Sequence, residues 1–259
     1  MTTPRDLAYR LYERRLIAQV QAAGLPHHVG VILDGNRRYA RTIGEAPTAG
    51  HFAGARKIDE FLDWCWELGV PYVTLWLLST ENLDRDAEEV SGLLRIIEET
   101  VLRIAHHPTS VERGLRVTAV GALDLLPDQT RDALKEAREA TASHDRTFLQ
   151  VAVGYGGRRE ITDALRSLLR SKAAEGVTLE DVAEALRPED IGPHLYTTGF
   201  PDPDLIIRTS GELRLSGFLL WQSAHSEFYF CDPYWPQFRR IDFLRALREY
   251  QNRQRRFGR

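Results

Sequence analysis

Four stretches of this sequence gather residue types able to hold phosphate and a hard metal ion. They are Asp34-Gly35-Asn36-Arg37-Arg38, Ser79-Thr80-Glu81-Asn82, Gly154-Tyr155-Gly156-Gly157-Arg158 and Arg208-Thr209-Ser210-Gly211-Glu212, with Arg214 just beyond the last. A guanidinium offers a planar fork of donors that matches phosphate oxygens, and a carboxylate among such forks can share a divalent ion such as Mg²⁺ with the same phosphates. Taken singly, each stretch is also what an ordinary turn looks like, since Gly and Asn are default turn residues. Their shared context is what sets them apart: each follows an apolar run.

Those runs must place the four stretches. The pattern predicts strands over 28–33, 72–78, 116–120, 148–153, 205–208 and 227–231, without the alternation of a half-exposed sheet, as expected of strands covered on both faces. Amphipathic stretches lie between them. Ile58, Phe61, Leu62, Cys65 and Leu68 form one helical stripe that stops at Gly69, with Pro71 beyond. Val90, Leu93, Leu94, Ile97, Val101 and Ile104 form another behind an Asp86 cap, and further helices are expected over 160–173, 178–186 and 241–256. The alternation predicts one α/β domain over 1–259, with a mostly parallel sheet of about six strands and a helical extension over 1–25. In a parallel sheet all carboxyl ends share one edge, where open α/β folds bind ligands. Asp34, Arg38, Glu81, Arg208 and Arg214 are therefore expected on one rim.

Composition bounds the function. The chain has 259 residues and 34 basic side chains, 31 Arg and only Lys57, Lys135 and Lys172. Its 37 acids give a net charge of −3, so no nucleic-acid partner is expected. The Arg excess has two readings, genome-wide codon bias and phosphate forks, which composition cannot separate. Cys65 and Cys231 stand far apart with no ligand spacing around them, against a disulfide framework or a zinc site. The N-terminal region has no continuous apolar segment, and runs such as 75–78 are too short to span a bilayer. A cytoplasmic protein is expected, with peripheral membrane contact left open. No P-loop, dinucleotide fingerprint, nucleophile elbow or two-His zinc motif occurs. Residue types and spacing alone reach an α/β enzyme acting on a phosphorylated ligand.

At these same residues the sequence resembles the cis-prenyltransferases, the undecaprenyl diphosphate synthase-like family. The likeness runs from about His27 to Gly258. It is carried by 28–38, by Gly50-His51-x-x-Gly54, by Ser79-Thr80-Glu81-Asn82, by Gly154 to Arg158, by 207–212, by Phe218-Leu219-Leu220-Trp221-Gln222 and by Arg256-Phe257-Gly258. The resemblance implies a homodimeric, Mg²⁺-dependent α/β enzyme with a hydrophobic tunnel, condensing isopentenyl diphosphate with an allylic diphosphate to create a cis double bond. It places Asp34 on Mg²⁺ and the allylic diphosphate, assisted by Gly35, Asn36, Arg37 and Arg38 and flanked by Tyr39 and His51. It gives the diphosphate of isopentenyl diphosphate to Arg208, Arg214 and Ser216, with Arg85 nearby and Leu215 in the substrate-binding set. Ser79, Thr80 and Glu81 join the substrate-binding set. Glu227 matches a second acidic metal position, Asn82 a position that helps remove the proton, and Arg256 one that reaches the partner copy. A neutral amide is a poor base, so Asn82 is expected to orient the group that accepts the proton. Structural readings stay open for three members: Glu212 as a loop ion pair, Glu81 as a helix cap and His51 as a satisfied core histidine.

The chain departs from the family pattern at Pro47, Leu83, Leu213 and Leu77-Leu78. Pro47 and Leu213 replace a phosphate contact and a candidate metal ligand. Leu77, where long-chain members carry Ala, adds three carbon atoms to the wall of a narrow tunnel. Leu77, Leu78 and Leu83 are thus the candidates for limiting chain length. The expected product is short, of the (2Z,6E)-farnesyl diphosphate type made from geranyl diphosphate by actinobacterial members. The alternatives are a long-chain synthase, a non-catalytic subunit of a heteromeric enzyme and a head-to-middle condenser.

Overall fold

The computed structural model describes the backbone of residues 4–257 and the side chains of Tyr9 and residues 11–253. In chain order the elements are α1 (Pro4–Gln21), β1 (His28–Ile32), α2 (Asn36–Thr42), α3 (Pro47–Leu68), β2 (Tyr72–Ser79), α4 (Ala87–His106), α5 (Pro108–Glu112) and β3 (Leu115–Val120). They continue with α6 (Asp128–Ala140), β4 (Thr147–Tyr155), α7 (Gly157–Ala174), α8 (Leu179–Ala185), α9 (Pro188–Ile191), β5 (Leu205–Arg208), β6 (Glu227–Phe230) and α10 (Arg240–Phe257).

The six strands form one sheet in the order β3-β4-β2-β1-β5-β6, and every pairing among the described residues is parallel. Alternate residues of each strand face opposite sides. Val31, Leu75, Val151 and Ile207 join the larger core, under α1, α3, α4, α6 and α10. Ile32, Trp76, Ala152 and Ile206 face the other side, with Phe218, Leu219 and Tyr155. Burial on both faces explains why the strands read as unbroken apolar runs. The buried Thr74 hydroxyl is accommodated between the His28 ring and the Gln150 side-chain oxygen, to which it donates.

Local signals fix the helices that border the site. α3 begins with Pro47 in its first turn and ends at Gly69, whose φ of 87° suits glycine. Asp86 caps α4 by accepting from the backbone N–H groups of Glu88 (3.0 Å) and Glu89 (3.3 Å). Two differences from the sequence expectations stand out. Asn36-Arg37-Arg38 is the first turn of α2 instead of loop, and α6 was not foreseen. No helix among the described residues is long and apolar enough to cross a membrane.

Candidate active site

Two residues past β1, Asp34 stands at the carboxyl edge of the sheet. Its N–H donates to Thr209 Oγ1 at 3.0 Å, and its carbonyl accepts from that hydroxyl at 2.7 Å and from the Trp235 N–H at 2.9 Å. The backbone is therefore fixed before any ligand arrives. The carboxylate accepts from Arg208 Nη2 at 2.7 Å on Oδ2 and from Arg38 Nη2 at 3.0 Å on Oδ1. Burial alone would favour the protonated acid. Arg208, with Ser210 and Arg38, outweighs it and holds the Asp34 carboxyl below the ordinary carboxylate range.

Arg208 is 4% exposed, the last residue of β5. Besides Asp34 it donates to the Arg214 carbonyl and to Ser216 Oγ at 2.8 Å, while its Nε–H has no partner. Arg38 also reaches Glu212 at 3.0 Å and Ser210 Oγ at 2.6 Å, with Tyr234 5.6 Å beneath it. Arg214 pairs with Glu212. Glu212 is thus an ion-pair partner to two arginines of the cleft.

Glycines let α2 approach α3. A Cβ on Gly50 would lie 2.0 Å from the Asn36 carbonyl oxygen, and one on Gly54 would lie 2.5 Å from Asn36 Oδ1. Four residues apart, the two share one helix face, which explains the Gly-His-x-x-Gly spacing. At this junction Asn36 Oδ1 and His51 Nε2 are buried without hydrogen-bond partners. Burial lowers the His51 pKa; Glu89 opposes this, and Arg85 and Arg37 add to it, so the ring is neutral at pH 7.

After β2, residues Thr80–Asp84 make a 3₁₀ turn with a reciprocal cap. Ser79 Oγ accepts from the Asn82 N–H at 3.2 Å, and Asn82 Oδ1 accepts from the Ser79 N–H at 3.4 Å. The amide oxygen of Asn82 is thereby engaged, leaving its NH₂ for a ligand. That is a donor's role, not a base's.

These groups enclose a cleft of about 590 Å³ lined by residues 34–38, His51, Ser79, Asn82, Arg85, Arg208, Arg214 and Ser216, with Leu77 and Leu78 on its floor. Leu77 and His51 also line an adjoining apolar cavity between α3 (Ala55, Ile58) and α4 (Leu93, Ile97), of only about 30 Å³. The hydrophobic tunnel that the resemblance implied is not seen among the described residues; this small apolar cavity adjoins the cleft instead.

Several expected residues lie elsewhere. Tyr39 is on α2 off the cleft; Thr80 packs on Gly156; Glu81 is exposed; Leu83 lies half-buried beside Gly154. Leu215 packs into the Trp76–Phe218 cluster. Leu213 is 78% exposed. The Arg256 side chain lies outside the described residues. Glu227, expected at a second acidic metal position, lies away from Asp34 of the same chain. It begins β6 in register with Leu205 and so with Val29, five residues before Asp34, or roughly 16 Å along the strand. Its carboxylate instead pairs with Arg253 at 3.0 Å.

The structure adds residues the sequence reading missed. Glu89 stands 3.2 Å from Arg85, 3.5 Å from Arg37 and 3.8 Å from His51, a shared counter-ion behind the cleft. Its spacing of four from Arg85 on the border of α4 was the available signal. Trp76 and Arg41 line the cleft as well, and only the fold brings them there.

The donors fit a Mg²⁺ ion that arrives with a diphosphate. Among the described residues no group of three or more His, Cys, Asp or Glu could cage an ion. One ionised carboxylate plus substrate phosphates is a common Mg²⁺ ligand set, and Asp34 supplies the carboxylate.

The same chain can be set beside known proteins. The model of the family described as "Putative undecaprenyl diphosphate synthase" matches residues 32–258. A (2Z,6E)-farnesyl diphosphate synthase from Thermobifida fusca is 62% identical over 251 residues, 96% of each chain. An isoprenyl transferase from Thermus thermophilus is 52% identical over 97% of this chain and 95% of its own. The crystal structure of lavandulyl diphosphate synthase from Lavandula x intermedia, in complex with dimethylallyl diphosphate, superposes with a TM-score of 0.79 at 32% identity. It covers 90% of this chain and 96% of that one.

Proposed function

Because the chain belongs to the undecaprenyl diphosphate synthase family of prenyltransferases, we propose that it condenses isopentenyl diphosphate with geranyl diphosphate to give (2Z,6E)-farnesyl diphosphate. The observation that carries the reading is the Asp34–Arg208–Arg38 cluster, seated where the two faces of the sheet meet at the strand ends. On one face the apolar cavity between α3 and α4 suits the allylic tail. On the other, Arg208, Arg214 and Ser216 suit the diphosphate of the acceptor.

In the condensation the allylic C1–O bond breaks and its electron pair leaves with diphosphate. The acceptor's double bond supplies the pair for the new C1–C4 bond, and loss of a proton from C2 forms the cis double bond. Negative charge grows on the departing diphosphate, where fixed donors are worth most. Arg37 and Arg38 line the cleft with Asp34 for that charge, where α2 opens without a side-chain cap. Mg²⁺ held by Asp34 and the allylic phosphates would neutralise that charge further. Asn82 would hold a diphosphate oxygen or water through its NH₂, so that this group takes the C2 proton. Leu77, shared by cleft and cavity, would limit tail length. The reading also takes the enzyme as a cytoplasmic homodimer in which Arg256 serves the other copy's site.

The test is incubation of the purified enzyme with labelled isopentenyl diphosphate and geranyl, neryl or farnesyl primer in turn, with and without EDTA. A C15 product from geranyl diphosphate, lost in EDTA, is expected. Products of decaprenyl length would refute the short-chain reading, and full activity in EDTA would refute the metal role of Asp34. The lavandulyl synthase similarity makes a head-to-middle product the second outcome to exclude, by NMR of the product.

A further inference from the structure

The last rung of the sheet runs Val120–Ala152–Trp76–Ile32–Arg208–Phe230, in register across all six strands. Side chains in register on parallel strands share a face. Arg208 and Trp76 therefore stand on the same side, two strands apart or roughly 10 Å, with Ile32 between them. Both line the cleft.

The Trp76 ring is fixed from below and from the side. It stacks on Phe218 with centroids 5.2 Å and planes 13° apart, and meets Tyr155 edge-on at 6.3 Å. The residue is 9% exposed, yet its indole N–H is buried with no acceptor among the described residues. Trp76 takes no part in the Asp34–Arg208 network. A rigid aromatic plane thus borders the cleft on the side of the buried arginine, bonded to nothing polar among the described residues.

We propose that Trp76 is the specificity-determining residue that sizes the acceptor, its ring forming the wall against the methyl-bearing C3 of isopentenyl diphosphate. The inference rests on the reading that the acceptor's diphosphate sits on Arg208, Arg214 and Ser216. From that anchor a five-carbon chain reaches about 5 Å, at about 1.5 Å per bond with tetrahedral angles. It then lies over Ile32 with its branch against the indole. Phe218 and Tyr155 keep the ring from retreating, so a larger branch has no room on that side.

The test compares kcat/KM for isopentenyl diphosphate and for its 3-ethyl homologue, with one allylic primer, in the wild-type enzyme and in Trp76→Phe and Trp76→Leu. One methylene in a tight apolar pocket is worth about tenfold or more in selectivity. The wild-type enzyme should prefer the 3-methyl acceptor by at least that factor. The smaller side chains should erase about tenfold of the preference while the primer's KM stays unchanged. If the wild-type enzyme uses both acceptors equally, there is no wall, and the proposal fails even if neither variant folds. It fails equally if the variants lose activity on both acceptors in the same proportion, as packing beneath Phe218 alone would give. Arg208→Lys separates this failure from that of the underlying reading. If it raises the KM of the primer and leaves that of the acceptor unchanged, the diphosphate placement itself is wrong.

Discussion

Gly50→Ala should cost this enzyme most of its activity and a smaller part of its stability. In an exposed helix, Gly to Ala gains about 1 kcal/mol, because glycine gives up more backbone freedom on folding. At Gly50 the added Cβ would stand 2.0 Å from the Asn36 carbonyl oxygen. Relief to an ordinary contact requires α2 and α3 to part by about 1 Å, at a cost of about 1–3 kcal/mol for overpacking. The net is a loss of about 0–2 kcal/mol, and at about 2–4 °C per kcal/mol for a chain of this size Tm falls by at most about 8 °C. Activity is far more sensitive. Asn36 opens the helix that carries Arg37 and Arg38, two residues after Asp34, and a displacement of about 1 Å in a catalytic constellation can cost roughly 100-fold. Gly92→Ala is the matched control. Gly92 lies in α4 with nothing within 4 Å of an added Cβ, so it should gain up to about 1 kcal/mol and keep full turnover. The assay is kcat/KM for both substrates alongside thermal unfolding. If Gly50→Ala were as active as Gly92→Ala, the close approach of α2 to α3 would not be what positions the cleft.

Asp34→Asn should reduce kcat at least about 1,000-fold and lower Tm by several degrees. It removes the charge facing buried Arg208, worth about 1–3 kcal/mol; unchanged kcat would refute the role assigned to Asp34. Leu77→Ala should lengthen the products seen on chromatography by opening the passage from cleft to cavity, and an unchanged product distribution would remove Leu77 as the limit. Stability should also fall in mild acid because of His28. Burial lowers its pKa from 6.5 to about 4, against the smaller opposing pull of the Pro201 carbonyl and Asp204. Between those values the unfolded chain binds the extra proton. The stabilisation is therefore complete above pH 6.5 and is lost as pH falls towards 4, by roughly 3 kcal/mol at about 1.36 kcal/mol per pH unit. In denaturant titrations from pH 7 to pH 4.5, His28→Asn should show a flatter decline than wild type; parallel slopes would rule His28 out as the source.

What the sequence by itself determined is what depends on near neighbours along the chain. The six apolar runs became the six strands because an unbroken run of that length has few other uses. Gly69 ended α3 and Asp86 began α4 because a left-handed φ and a side-chain cap are local acts. The common strand polarity then put Asp34, Arg38, Arg208 and Arg214 on one rim, since all carboxyl ends of a parallel sheet share an edge. The tertiary structure decided which polar residues meet. The motif in the sequence points to Glu81 and not to Glu89, but the 3₁₀ turn exposes Glu81, while α4 packing on α3 delivers Glu89 to Arg37, Arg85 and His51. Glu227 follows a motif-rich segment, yet it opens β6 at the far edge because a parallel strand brings its carboxyl end, not its start, to the site. Trp76 reads as one more apolar residue of β2 until register sets it on the same rung and face as Arg208. Periodicity tells which residues of one strand share a face. Only the pairing of strands tells which residues of different strands stand together, and those pairings join residues from 22 to 176 positions apart along the chain.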